Sequence, residues 1–239
     1  MCVRHAGPVT NNPCDVDLAA VGGLFGDPAR AAMLVALSDG RALPAGELAR
    51  RVSVSPATAT THLRRLVEGG LVQVTDQGRH RYHQLAGPQV SAVLEALAHV
   101  APASPVKSLR QHRDVTTLAE ARTCYDHLAG RRGVELRDRL LGAGALQTSD
   151  GRDHRLTACG DTIIAGLDID LDQLRSGRRI FARSCLDWTQ HRPHLAGALP
   201  AAVTSTFLAR GWLERSAGRG LRVTAGDDQN LHRWLMSAT

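Results

Sequence analysis

The stretch from Ser55 to Leu85, SPATATTHLRRLVEGGLVQVTDQGRHRYHQL, constrains this chain more than any other. Ser55-Pro56 opens a helix, with serine as N-cap and proline at the first helical position. The helix spans about 56–68 and stops at Gly69-Gly70. Ala59, Leu63 and Leu66 give it one apolar side, while Ala57, Thr58, Thr61, Arg64 and Arg65 fall on the other. Leu71–Thr75 then alternates as a strand, Asp76-Gln77-Gly78 turns, and Arg79–Leu85 returns. A helix with short hydroxyl side chains, followed at once by a basic hairpin, suits a DNA groove.

The flanking segments complete a module. Asp17–Phe25 has the spacing of a short helix. Asp27-Pro28 starts a second helix, which runs through Met33, Leu34 and Leu37 to Gly40. Pro44 opens a third, carrying Leu48 and Val52. Pro88–Val100 forms the last, with Val90, Val93, Leu94 and Leu97 on one side. Helix, short helix, turn, helix, two-stranded wing and helix make a winged helix-turn-helix. In it Ser55, Ala57, Thr58, Thr60, Thr61 and His62 meet base edges or phosphates. Arg64 and Arg65 lie one turn on, and Arg79, His80 and Arg81 ride the wing tip. Aromatics make up only 3% of the chain, so its core is Leu, Ala and Val, which favours helices. A net charge of +6 suits a polyanionic partner, and Lys107 is the only lysine. Arginine bias of this kind follows equally from a GC-rich genome.

Residues 18–100 resemble the ArsR/SmtB family of bacterial repressors. The resemblance rests on Asp27-Pro28-Ala29-Arg30, on Gly46-Glu47-Leu48-Ala49, on Ser55-Pro56-Ala57-Thr58-Ala59-Thr60-Thr61-His62-Leu63, and on Leu66–Leu71. Thr60 replaces a serine of that family's recognition-helix motif, and His62 keeps its histidine. The resemblance implies a homodimer on double-stranded operator DNA, paired through about 17–25 and 88–100. It also says where metal ligands would lie. The cysteine-pair position reads Glu47-Leu48-Ala49-Arg50-Arg51 and holds no thiolate. The last helix offers Glu95 and His99, two ligands for a shared zinc or simply an i, i+4 surface pair. Cys2 and Cys14 form either a tail thiolate pair or uninvolved thiols. No metal ligand set and no cofactor is assigned.

Residues 101–118 hold Pro102, Pro105 and Lys107 and read as a linker, with room for a helical turn. Beyond it the chain repeats itself. Residues 127–161 align without a gap to 194–228, with 14 of 35 positions identical. Each copy reads as a helix opening at Leu-Ala-Gly, a glycine stop, a hairpin and another helix. Cys124-Tyr125-Asp126-His127 is echoed by Cys185-Leu186-Asp187-Trp188, with His191 and His194 following. Cys124, Asp126, His127, Cys185, Asp187, Trp188 and His194 are therefore the candidates for an effector pocket. The same pattern fits cysteines that are core residues at equivalent positions, or a metal or redox site. Cys124 and His127, three apart, read as neighbours on a helix.

The expected fold is mainly α with small β-hairpin wings. A tail (1–16) precedes a winged helix-turn-helix for DNA binding and dimerisation (17–100). The linker (101–118) and a tandem of two winged-helix-like units for effector control (119–239) follow. The expected function is a cytoplasmic, effector-responsive homodimeric repressor with a small-molecule effector. The alternative is a metal- or redox-sensing repressor, and more remotely a DNA-binding module fused to an enzyme. Five scattered cysteines make no disulfide framework, and no apolar run reaches the ~20 residues of a membrane span. No phosphate-cradling glycine loop, His-Glu-x-x-His or nucleophile elbow is present, so no enzymatic activity is expected.

Overall fold

The computed structural model describes residues 16–102, 105, 108–149, 151–216, 218–223, 229, 230, 233 and 234. Cys2, Cys14, Lys107 and nearly all of the tail lie outside them. The first module runs α1 (Leu18–Phe25), α2 (Pro28–Leu37), β1 (Leu43–Pro44), α3 (Ala45–Arg51), α4 (Pro56–Glu68), β2 (Val72–Gln77), β3 (His80–Leu85) and α5 (Pro88–Val100). Two caps fall where the sequence places them. The Asp27 carboxylate accepts from Arg30 N at 2.9 Å, and Ser55 Oγ accepts from Thr58 N at 3.1 Å. Met33, Leu34, Leu37, Leu48, Leu63, Leu66 and Leu85 close the core between these helices and the wing. The two-residue strand β1 is too short to show alternation, yet it pairs with β3 and makes a three-stranded sheet of order β1-β3-β2.

Helix α5 differs from its reading. Its buried residues are Val90, Ser91 and Glu95, and Leu94 packs on the core from its side. Val93 and Leu97 are exposed. The helix turns a partly polar face inward because the second half of the chain packs on it.

The segment read as a linker contains more helix than one turn. It carries most of α6 (Leu109–Glu120), capped by Ser108 Oγ, which accepts from Gln111 N at 3.1 Å. Leu109 and residues 111–116 are exposed, so no apolar periodicity announces the helix.

After α6 come β4 (Arg122–Cys124), β5 (His127–Ala129), α7 (Arg131–Gly142), β6 (Leu146–Thr148), β7 (His154–Leu156) and α8 (Ala158–Ala165). Helix α9 (Leu171–Ser176) precedes β8 (Arg183–Asp187), β9 (Arg192–Ala196), α10 (Ala198–Ala209), β10 (Glu214–Arg215) and β11 (Leu221–Arg222). Hairpin, helix, hairpin thus occurs twice. The two runs are not separate units. One core, with Leu128, Leu140, Leu146, Ile164, Leu195, Leu199 and Phe207, serves both.

The Leu-Ala-Gly segments correct the sequence reading. They end strands β5 and β9 rather than open helices. Gly130 and Gly197 cap α7 and α10 at φ of +78° and +121°. At Gly197 a Cβ would lie 2.7 Å from the Ile180 carbonyl oxygen, so the strand-to-helix corner admits only glycine.

The halves touch directly. Tyr125 N donates to Ser38 O at 2.8 Å, and the β4–β5 turn packs against the end of α2. No single helix among the described residues is long and apolar enough to cross a membrane.

Candidate functional site

Helix α4 buries Ala59, Leu63 and Leu66 and leaves Ala57, Thr58, Thr61, Arg64 and Arg65 in solvent. Its hydroxyls are partly committed. Ser55 Oγ and Thr58 Oγ1 lie 2.8 Å apart, Thr60 donates to Pro56 O at 2.9 Å, and Thr61 donates to Ala57 O at 3.2 Å. Such back-bonds keep the side chains short against the helix, so its backbone can approach a groove closely. His62 is turned inward instead, with Nδ1 3.8 Å from Asp27 Oδ1 at the start of α2. It therefore does not project with the threonines. Arg79, His80 and Arg81 are exposed on the wing, where Arg81 pairs loosely with Asp76 at 3.4 Å.

The second site was half legible. Cys124 and His127 are not helix neighbours. They are cross-strand partners in the β4–β5 hairpin, and Cys185 and His194 hold the same relation in β8–β9. The side chains of all four meet, with one ligand atom from each inside a sphere where no pair exceeds 4.8 Å. Cys124, His127 and His194 are buried and Cys185 is half-buried. The two imidazole centroids stand 5.2 Å apart.

A carboxylate backs each histidine. Asp126 Oδ1 is 3.4 Å from His127 Nδ1, and Asp187 Oδ2 is 3.2 Å from His194 Nδ1. Nε2 of both rings is buried with no hydrogen-bond partner among the described residues. Each carboxylate is itself held by an arginine. Arg179 clamps Asp126 with two bonds of 2.5 and 2.8 Å, and Arg122 reaches Asp187 at 3.2 Å. Gly130 N also donates to Asp187 at 2.6 Å, so the first hairpin is tied to the second.

These contacts set the ionisation. Burial opposes a charge on Asp126, but the Arg179 bonds outweigh it and hold the carboxyl at about 2. Asp187 is likewise held well below the usual carboxylate range, by His194 and Arg122 against the effect of burial. The Cys124 thiol is pushed up to about 11 by its hydrogen bond with Cys185 and by burial. Burial disfavours a protonated His194, yet Asp187 and the Cys124 sulfur raise it to about 9. His127 is raised as well, against burial, by Cys124 and Asp126.

Trp188 does not wall this cluster. Its ring lies under the Arg122 guanidinium, 5.3 Å from ring centroid to Cζ. Arg122 escaped the sequence reading, although the echo extends two positions further back, as Arg122-Thr123-Cys124-Tyr125-Asp126 and Arg183-Ser184-Cys185-Leu186-Asp187. Arg122 is fully buried and donates to Glu95 on α5 at 2.5 Å; Arg219 adds a second bond to Glu95 at 3.0 Å. Glu95 and His99 are therefore neither a surface pair nor a shared ligand set. His99 instead meets His191, Nδ1 to Nδ1 at 3.1 Å. A cavity of about 470 Å³ opens between α5 and the hairpins, with Cys124, His127 and Cys185 on its wall and Arg152, Arg179 and Arg183 around it.

A Helix-turn-helix domain model matches residues 25–75, the segment from the end of α1 into the wing. The HTH-type transcriptional regulator YdfF of Bacillus subtilis is 41% identical over 209 residues, covering 87% of this chain and 92% of that protein. The chain belongs to the ArsR-like family of HTH-type transcriptional regulators. The likeness to YdfF is too long to fit within either half, so this regulator shares its C-terminal half as well as its DNA-binding module. The HTH-type transcriptional regulator CmtR of Mycobacterium tuberculosis is 36% identical over 83 residues, 35% of this chain and 70% of that protein. The solved structure of the cadmium metal-sensor CmtR overlaps 39% of this chain and 100% of its own, with 32% identity and a TM-score of 0.32.

Proposed function

We propose that this ArsR-like regulator is a homodimeric repressor whose C-terminal half takes up an effector and changes operator affinity. The observation that carries the reading is one helix with two attachments. The last helix of the DNA-binding module, α5, is bonded through Glu95 into the arginine-carboxylate network behind the Cys-His cluster. A change in that cluster therefore reaches the module that presents α4. Dimerisation is supported by apolar surface that no described residue covers. Leu18 and Val21 on α1, and Val93, Leu97 and Val100 on α5, are all exposed. The C-terminal half reads as regulatory because its Cys-His cluster is joined to α5 through Asp187, Arg122 and Glu95. Two hairpin-helix-hairpin runs with matching Cys-His registers fit an internal duplication of that half.

An operator-shift titration across salt concentrations tests the DNA face. Arg64→Ala and Arg65→Ala together are expected to weaken binding. They should also lower the slope of log affinity against log salt by about 0.9 for each phosphate that the variant no longer neutralises. An unchanged affinity and slope would remove α4 from the interface.

A further inference from the structure

We propose that Cys124, His127, Cys185 and His194 bind one tetrahedral, thiophilic divalent cation of the zinc class, and that this cation is the effector. The inference rests on the effector-responsive reading above. Four observations carry the site independently of that reading.

The donor set is the first. Two sulfurs and two imidazole nitrogens, none more than 4.8 Å from another, are the composition and number that a closed tetrahedral site requires. Register is the second. Each hairpin supplies one directly opposed Cys-His pair, so the ligands are held by two short β-ladders rather than by loops. Third is ring orientation. Asp126 Oδ1 is bonded to Nδ1 of His127 and Asp187 Oδ2 stands 3.2 Å from Nδ1 of His194, while Nε2 of both rings is buried with no hydrogen-bond partner among the described residues. A carboxylate behind a histidine fixes its orientation for coordination through the other nitrogen. Two buried ring nitrogens with no hydrogen-bond partner are costly unless something fills the space beside them.

Charge is the fourth. A cation that enters displaces the protons of both thiols and of any protonated imidazole to solvent; the two thiolates then neutralise it, and the carboxylates behind the histidines are already matched by Arg122 and Arg179. The cavity between α5 and the hairpins gives the ion a way in.

Coupling follows from the same contacts. A cation would pin β4–β5 to β8–β9 and so fix Arg122, which joins Asp187 to Glu95 on α5. Ser91 on α5 touches the site directly, its Oγ 3.6 Å from Cys124 Sγ. Cation binding and the placement of the dimer helix then share one network.

The test uses the full chain, reduced and stripped of metal, titrated with Co²⁺ and Zn²⁺. One equivalent per chain is expected, with the visible bands of tetrahedral cobalt and a sulfur-to-cobalt charge-transfer band, both displaced by Zn²⁺. Cys185→Ser, at the half-buried ligand, should weaken uptake and lower the charge-transfer band to that of one thiolate, while circular dichroism stays unchanged. Asp126→Asn, which keeps all four ligands, should weaken uptake by about 10–100-fold. Uptake that persists in Cys185→Ser with Cys124→Ser, or no uptake by the reduced chain, overturns the site. A Cys124–Cys185 disulfide in a chain that takes up no metal when reduced would overturn it in favour of a redox role.

Operator binding is read separately, with and without Zn²⁺. A change of about 5–150-fold is expected. Glu95→Gln should keep cobalt uptake and lose that change. Uptake with unchanged operator affinity leaves the site standing and overturns the effector role. Failure of the native chain to bind DNA at all would strike the repressor reading and leave cobalt uptake unaffected.

Discussion

Arg122 shows how much one side chain can carry in this molecule. It is fully buried, yet it holds carboxylates from α5 and from β8 and lies against the Trp188 ring. A buried charge of this kind contributes little net stability while whole, but removing one member leaves the others unpaired. Arg122→Met is expected to cost about 3–5 kcal/mol in urea denaturation. A loss under about 1 kcal/mol would mean that Arg219, Gly130 N and Thr189 satisfy the orphaned carboxylates. His154 tests a different balance. Burial and the nearby Arg137 lower its pKa, and its ring is bonded neutral between Thr148 and Ser184. The unfolded chain takes up a proton near the ordinary histidine value of about 6.5, whereas the folded chain resists until lower pH. The contribution is present above about 6.5 and is lost as pH falls toward the folded value. His154→Gln should therefore flatten the fall in melting temperature between pH 7.5 and 5.5, and a parallel curve would refute it. His83, lowered by its own burial in β3, adds to the same trend. Neither histidine was legible as buried, because nothing in its local sequence shows which strand packs over it.

Elements were read well where their signals are local. Helix α4 announces its cap, its buried stripe and its end within 15 residues, Ser55 to Gly69. The wing announces itself by alternation. Elements whose partners lie far along the chain were read less well. Glu95 on α5 looks like a surface residue until Arg122, 27 positions later, and Arg219, 124 positions later, pack on it. The Cys-His pairs looked helical because a spacing of three suits one helix turn, and only the pairing of β4 with β5 shows them as cross-strand neighbours. Helix α1 poses the opposite problem. It is strongly apolar and has no fully buried residue. Such a helix gains its stability from tertiary or quaternary cover. Leu97→Glu on α5, which places a charge among the exposed apolar side chains, is expected to shift sedimentation from dimer to monomer without changing the melting of one chain. If mass by sedimentation is unchanged, the dimer seam lies elsewhere.

At the scale of the whole molecule, the described residues form two cores joined by a polar bridge. One cluster serves the DNA-binding module and another serves the C-terminal half, while the bonds between them run largely through Arg122, Arg219, Tyr125 and Glu95. Two cores would unfold separately were the bridge weak, and the sequence could not reveal its strength, since its members lie up to 124 positions apart. Cooperativity is measurable here because all three tryptophans, Trp188, Trp212 and Trp234, lie in the C-terminal half. Their fluorescence reports that half, whereas far-ultraviolet circular dichroism reports helices of both. In the native chain the two probes should give one coincident urea transition. In Arg122→Met they should separate, with fluorescence changing first, because the variant removes the buried partner of Asp187 and leaves the core around Met33, Leu34 and Leu63 untouched. Coincident transitions in the variant would show that the contacts it keeps, Arg219 with Glu95 and Tyr125 with Ser38, suffice to make the two halves one folding unit.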